Sequence, residues 1–124
     1  MRSDVREIKL ISRPKGIGDV ILKGKPVARV RYRMRYRRMV EGLRTGDGHV
    51  EEIPIQALVD GNIQILEGET SLYSDRRYTL HLEDEHQRER VCDFYCEPMD
   101  VVKGMYHLEG CGDFRELPRR RRPA

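Results

Sequence analysis

Polar and apolar residues alternate strictly along much of this chain. In residues 27 to 38, "VARVRYRMRYRR", arginine fills every odd position from Arg29 to Arg37. Val30, Tyr32, Met34 and Tyr36 fill the even ones. A period of two sends successive side chains to opposite faces of a strand. Five guanidinium groups cannot be desolvated without partners. The Val/Tyr/Met/Tyr row therefore turns inward, and Arg29, Arg31, Arg33, Arg35 and Arg37 face solvent.

The same period marks shorter segments, and Gly and Pro separate them. "REIKLIS" (6–12) reads as a first strand, and "RPKGIGD" (13–19) as a break. "DVILKG" (19–24) leads to the long strand from Val27 to about Val40. "RTGDGH" (44–49) is a hairpin signal, because Gly and Asp tolerate the positive φ of tight turns. With Gly46 and Asp47 as the turn residues, Arg33 faces Asp60, Arg35 faces Leu58 and Arg37 faces Gln56. On the other face Tyr36 meets Ala57 and Met34 meets Val59. A bulge near Arg38 and Met39, where the alternation slips, shifts this register by one. The return strand (50–59) turns at "DGN" (60–62) into "IQILEG" (63–68). Tyr78, Leu80 and Leu82 share a face of the next strand. "DEHQRE" (84–89) reads as a polar loop and "RVCDFYC" (90–96) as a strand. "MYHLEG" (105–110) and "DFREL" (113–117) close the pattern. One short helix is allowed near Glu97 to Lys103.

About eight short strands with sequential hairpins predict an all-β fold, a single antiparallel up-and-down β-barrel. Closure removes the unpaired edges that a Tyr- and Val-rich strand would expose. The spacing of the strands is similar to that of lipocalin or fatty-acid-binding barrels, with no family motif matched. Val30, Tyr32, Met34, Tyr36, Tyr78, Leu80 and Leu82 would line the interior. Barrels of this size stand at the boundary between a filled core and one enclosed ligand.

Charge adds a second reading. The chain has 124 residues and a formal charge of +3, and Arg119 to Arg122 supply four of the positive charges. Residues 1–118 then form one nearly neutral domain, and 119–124 a basic, disordered tail. The Arg row and the tail suggest an anionic partner. Single-strand binders, however, mix exposed aromatics with basic residues. Here Tyr32 and Tyr36 lie on the face opposite the arginines, which leaves sequence-independent phosphate contact.

The candidate chemistry is sparse. Cys92 and Cys96 share a strand face with Phe94 at a separation of about 13 Å, too far for a disulfide. Free, buried thiols are expected, with Cys111 also reduced. The charged N-terminus has no apolar core of a signal peptide, so a cytoplasmic location is expected. His49 and His86 fall in turns or loops, and His81 and His107 at outward strand positions. No set of residues has zinc-ligand spacing. Ser12, Ser71 and Ser74 lack a nucleophile-elbow context. "KGIGD" (15–19) has no helix after it to cradle a phosphate. Asp93 alternates with the buried Cys/Phe row and should face outward. No catalytic residue, cofactor, metal or membrane contact is assigned. The expected function is a non-catalytic binding module for a small apolar or amphipathic ligand inside the barrel, or for a protein on its surface. Sequence-independent nucleic-acid binding through the Arg row and tail is the alternative.

Overall fold

The computed structural model describes residues 5–44, 46–69, 71–83 and 89–116. Every regular element among them is a strand. β1 spans Val5–Ser12, β2 Lys15–Leu22, β3 Lys25–Arg44 and β4 Val50–Gly68. β5 spans Tyr78–Glu83, β6 Glu89–Asp100, β7 Met105–Gly110 and β8 Arg115–Glu116. No described residue is helical. Near Glu97 to Lys103 the chain stays extended through Asp100 and then turns, with the Gly104 amide donating to the Val101 carbonyl at 3.2 Å. Of the polar loop expected over 84–89, Glu89 belongs to β6. Residues 84–88, with His86, and the tail 119–124 lie outside the described residues.

All pairings are antiparallel. Strands β2, β3, β4, β7, β6 and β5 pair in a ring of six, because β2 also pairs with β5. β1 is added to β3, and β8 to β6. This order corrects the expected sequential meander. β4 is followed in the chain by β5, which lies between β2 and β6 rather than beside β4. The segment 69–77 makes that crossing. The Gly and polar residues at 67–71 mark the end of a strand equally well for a hairpin and for a crossover. Two buried phenols hold the crossing segment. The Leu72 amide donates to the Tyr106 hydroxyl at 3.1 Å, and the Tyr73 amide to the Tyr78 hydroxyl at 2.9 Å. Leu72 is itself buried.

Inside the ring the alternation of β3 becomes a packed core. Val30, Tyr32 and Met34 are buried with Tyr78, Leu80 and Leu82 in one hydrophobic cluster. Phe94 stacks on Tyr78 with ring centroids 5.8 Å apart. Burial of each such side chain is worth about 1.5–3 kcal/mol, which fixes the even row of β3 as the inner one. Tyr36, at the end of the ring, is half-buried against Phe114, 5.3 Å between centroids.

Two glycine signals that read as turns are instead extended strand. Gly16 and Gly18 lie within β2, under the ring of Tyr32. A Cβ on Gly18 would stand 2.4 Å from the His81 carbonyl oxygen. Gly61, in the "DGN" expected to turn, lies within a continuous β4 opposite Met34. A Cβ there would stand 2.1 Å from the Arg33 carbonyl oxygen. Glycine inside a strand marks close approach of another backbone, and at these sites that role prevails over the turn.

β3 and β4 outrun the ring. β1 pairs with the distal half of β3, from Tyr36 to Gly42, and those residues pair with 52–59 of β4. The result is a three-stranded arm. The β3–β4 register differs by two residues from the one expected near the ring. Arg33 faces Asn62, Arg35 faces Asp60, Tyr36 faces Val59 and Arg37 faces Leu58. The loop between β3 and β4 is longer than two residues, and a bulge between Met39 and Val40 adds another step. The two steps together preserve the faces, since a shift of two returns each side chain to its side.

Candidate functional site

The outer face of β2, β3 and β4 carries the candidate site. Arg29, Arg31, Arg33 and Arg35 are exposed, and Arg37 is half-buried. Their immediate partners differ. Arg29 reaches Asp19 at 3.4 Å. Arg35 donates to Asp60 at 2.6 Å, and this bond raises its already high pKa further. Arg37 lies 3.6 Å from the same carboxylate. Arg31 and Arg33 make no ion pair among the described residues.

The β2–β3 hairpin adds Lys15, and Arg13 lies just before it. The hairpin places Lys15 opposite Arg33 and Ile17 opposite Arg31. On the other side Asn62 faces Arg33 and Gln64 faces Arg31. His107 of β7 is the next residue in the Lys15–Arg33–Asn62 row. An open cavity of about 730 Å³ lies over this row, lined by Arg13, Lys15, Arg33, Arg35, Asn62 and His107 among others. A second, of about 310 Å³, is lined by Arg31, Arg33, Asn62 and Gln64. Arg33 and Asn62 border both, so the two depressions adjoin. Arg13 and Lys15 likewise have no ion pair among the described residues. The cations lie on the β2–β3 side. Across the sheet Glu109 follows Asp60, and Glu97 follows His107, so the face is positive at one end and acidic at the other.

Sequence pattern alone assigns Arg13 and Lys15 to a break in "RPKGIGD" and Asn62 to a turn in "DGN", and it gives Gln64 and His107, on strands, no tie to the Arg row. Lys23 and Gly24 both have positive φ, 51° and 78°, and the hairpin centred on them brings Lys15 beside Arg33 once the bulge between Val20 and Ile21 adds one step.

The interior residues lie elsewhere. Val30, Tyr32, Met34, Tyr78, Leu80 and Leu82 are in the core cluster, and Tyr36 packs against it. The hydroxyls of Tyr78 and Tyr106 accept hydrogen bonds from the crossing segment 69–77. Cys92 and Cys96 are buried on one face with Phe94, and both are free, as is the half-buried Cys111. Burial pushes the Cys92 thiol up to about 12 and the Cys96 thiol up to about 11. Both are therefore protonated at neutral pH and poor nucleophiles. His81 and His107 occupy outward strand positions but are half-buried rather than exposed. His49 is exposed beside the β3–β4 turn, where its amide donates to Asp47 at 3.1 Å.

Asp93 faces outward and binds three groups. It accepts from Thr79 Oγ1 at 2.8 Å, Arg77 at 2.9 Å and Arg115 at 2.9 Å. Burial alone would raise its pKa. The hydrogen bonds from Thr79 and Arg77, with the charges of Arg115 and Arg77, outweigh burial and hold it below the usual carboxylate value. The arrangement ties β5, β6 and β8 together. No three metal-ligating side chains converge among the described residues, and no described helix is long and apolar enough to cross a membrane. No protein-family model matches the chain, and no match was found among curated proteins or solved structures.

Proposed function

We propose that the six-stranded ring is a small β-barrel and that the chain is a non-catalytic binding module of the cytoplasm. Its outer β2–β3 face binds nucleic acid through the phosphate backbone, without sequence preference. One observation carries the reading: Arg31, Arg33, Arg13 and Lys15 border adjoining depressions and have no ion pair among the described residues. Structural arginines on this same strand do find carboxylates, as Arg29 and Arg35 do. Cations without partners attract polyanions at no cost in broken ion pairs. Asn62 and Gln64 add amide donors that suit phosphate oxygens. The inward position of Tyr32 leaves this face without an aromatic on β3 for base stacking, which favours backbone contact over base readout. The filled inner row, with Tyr78 and Tyr106 bonded to the protein's own backbone, supports an outer site over an enclosed ligand.

Salt dependence tests this directly. Neutralising about four phosphates gives a slope of log affinity on log salt near about −3 for a single strand. The measurement is fluorescence anisotropy of labelled oligonucleotides of unlike sequence, with Arg31→Glu and Arg33→Glu as variants. Uniform loss across sequences, with a shallower salt slope, is the expected result. Binding that is absent at low salt, or unchanged in both variants, would overturn the proposal.

A further inference from the structure

The three-stranded arm has two outer edges, and they are built differently. The edge of β4 over 50–58 contains Pro54 and lies at the bulge opposite Met39 and Val40. Proline and bulges block the addition of another strand. β1 ends the sheet on the other side, with no described strand beyond it. Its sequence "VREIKLIS" has no Pro and no Gly. Ile8, Leu10 and Ile11 are about half exposed, at 51%, 48% and 54%. This is the edge left open to a further strand.

We infer that β1 pairs antiparallel with β1 of a second copy of this chain, about a two-fold axis at Ile8. The register follows from charge. A two-fold perpendicular to the sheet keeps faces matched, so a residue must lie opposite its own copy at the centre. Centring on Arg6, Glu7 or Lys9 sets like charges face to face, which is unfavourable. Centring on Leu10 sets Lys9 against the partner's Ile11 and runs into the irregularity between Leu10 and Ser12. Centring on Ile8 sets Ile8 against the partner's Ile8 and Glu7 against the partner's Lys9, twice by symmetry. Arg6 then flanks the partner's Leu10, which its alkyl stem can cover. Lys9 already pairs with Glu52 of its own arm, and an ammonium has three donors. The pairing satisfies the backbone groups of both edges and joins two arms into one six-stranded sheet.

Sedimentation velocity on the full chain, from low to high micromolar concentration, is the test. The wild type should associate to a dimer. Glu7→Lys puts like charges opposite each other at two places and should weaken the dimer about tenfold or more. Lys9→Glu should do the same, and the double exchange Glu7→Lys with Lys9→Glu should restore association. Ile8→Cys should give a covalent dimer on mild oxidation that the wild type does not give. Circular dichroism confirms that each variant is folded, since all three positions lie outside the core. A wild type that stays monomeric, a dimer indifferent to Glu7→Lys, or a double exchange that fails to restore it would each overturn the inference.

Discussion

The ring and the arm are made from the same two strands, yet they bury their side chains very differently. In the ring half of β3, Val30, Tyr32 and Met34 are nearly inaccessible. In the arm, Ile53 and Ile55 remain 42% and 45% exposed, and Ile8 and Leu10 are similar. Strand pairing alone covers no face. The ring half gains its core because β5, β6 and β7 stand across from it, and their Tyr78, Phe94 and Leu108 fill the space between. The arm is covered only near its base, where Phe114 packs on Tyr36 and Asp113 pairs with Arg38, and beyond that base Val40 is its one buried hydrophobic among the described residues. A hydrophobic alternation therefore announces a strand, but the opposing layer decides what it is worth.

Large-to-small substitutions should separate the two regions most strongly. Phe94→Ala in the ring should cost about 3–5 kcal/mol, and Met34→Ala about 2–5 kcal/mol, through lost transfer energy and the cavity left behind. Ile53→Ala in the arm should cost less than about 1 kcal/mol, since it is already hydrated. Urea unfolding measures all three. Equal losses in ring and arm would mean that the arm is covered in solution.

Glycines give a second contrast. Gly61→Ala should destabilise by about 2 kcal/mol or more, because the new methyl meets the Arg33 carbonyl and the Met34 backbone, and strand backbone can yield only with strain. Gly46→Ala, in the loop beyond the arm, meets nothing within 4 Å and should stay within about 0.5 kcal/mol. Thermal melts of the two variants would show the difference. A tolerated alanine at Gly61 would mean that β3 and β4 lie further apart there.

These glycines also mark the limit of the sequence. The inner and outer rows of β3 were legible, because burying five unpaired arginines is costly while burying the Val/Tyr/Met row is favourable. The buried Cys92, Phe94 and Cys96 row was legible from its apolar alternation with Asp93. Gly16, Gly18 and Gly61 were not, since the missing side chain that permits a turn also permits close packing, and only the neighbour distinguishes the two. The ring order was hidden because it depends on which strand the segment 69–77 reaches. The Arg row is therefore legible, but Arg13, Lys15 and Asn62, which complete its surroundings, fall in apparent turns.

Acid should loosen the ring at β6 only once the pH falls below the ordinary carboxylate range. Asp93 is held below the usual carboxylate value by Thr79, Arg77 and Arg115. Its contribution to stability is complete above the unfolded value near 3.8 and is lost as pH falls through the lower folded value. Asp93→Asn should remove this dependence and narrow the gap in stability between neutral and acid pH. Denaturant midpoints from pH 7 down to pH 3 test it. A variant with the same acid slope as the wild type would mean that Asp93 forms these contacts in the unfolded chain as well.

The smallest effect on stability is expected where the effect on binding is largest. Arg33 is exposed and has no carboxylate partner among the described residues, so Arg33→Ala removes no ion pair and should change stability by less than about 0.5 kcal/mol. Arg35, two residues along the same face, donates to Asp60 at 2.6 Å, and the Asp60 side chain is only 18% exposed. Arg35→Ala therefore leaves a largely covered carboxylate with Arg37 alone, at 3.6 Å, and should lower stability measurably more. Affinity for an oligonucleotide should rank the other way. Arg33 borders both depressions, whereas Arg35 borders one and is already engaged. Arg33→Ala should then lose more affinity than Arg35→Ala at low salt, and the gap should close as salt rises and screens both. Stability and binding that fell together in these two variants would show that the Arg row serves the sheet, not a partner.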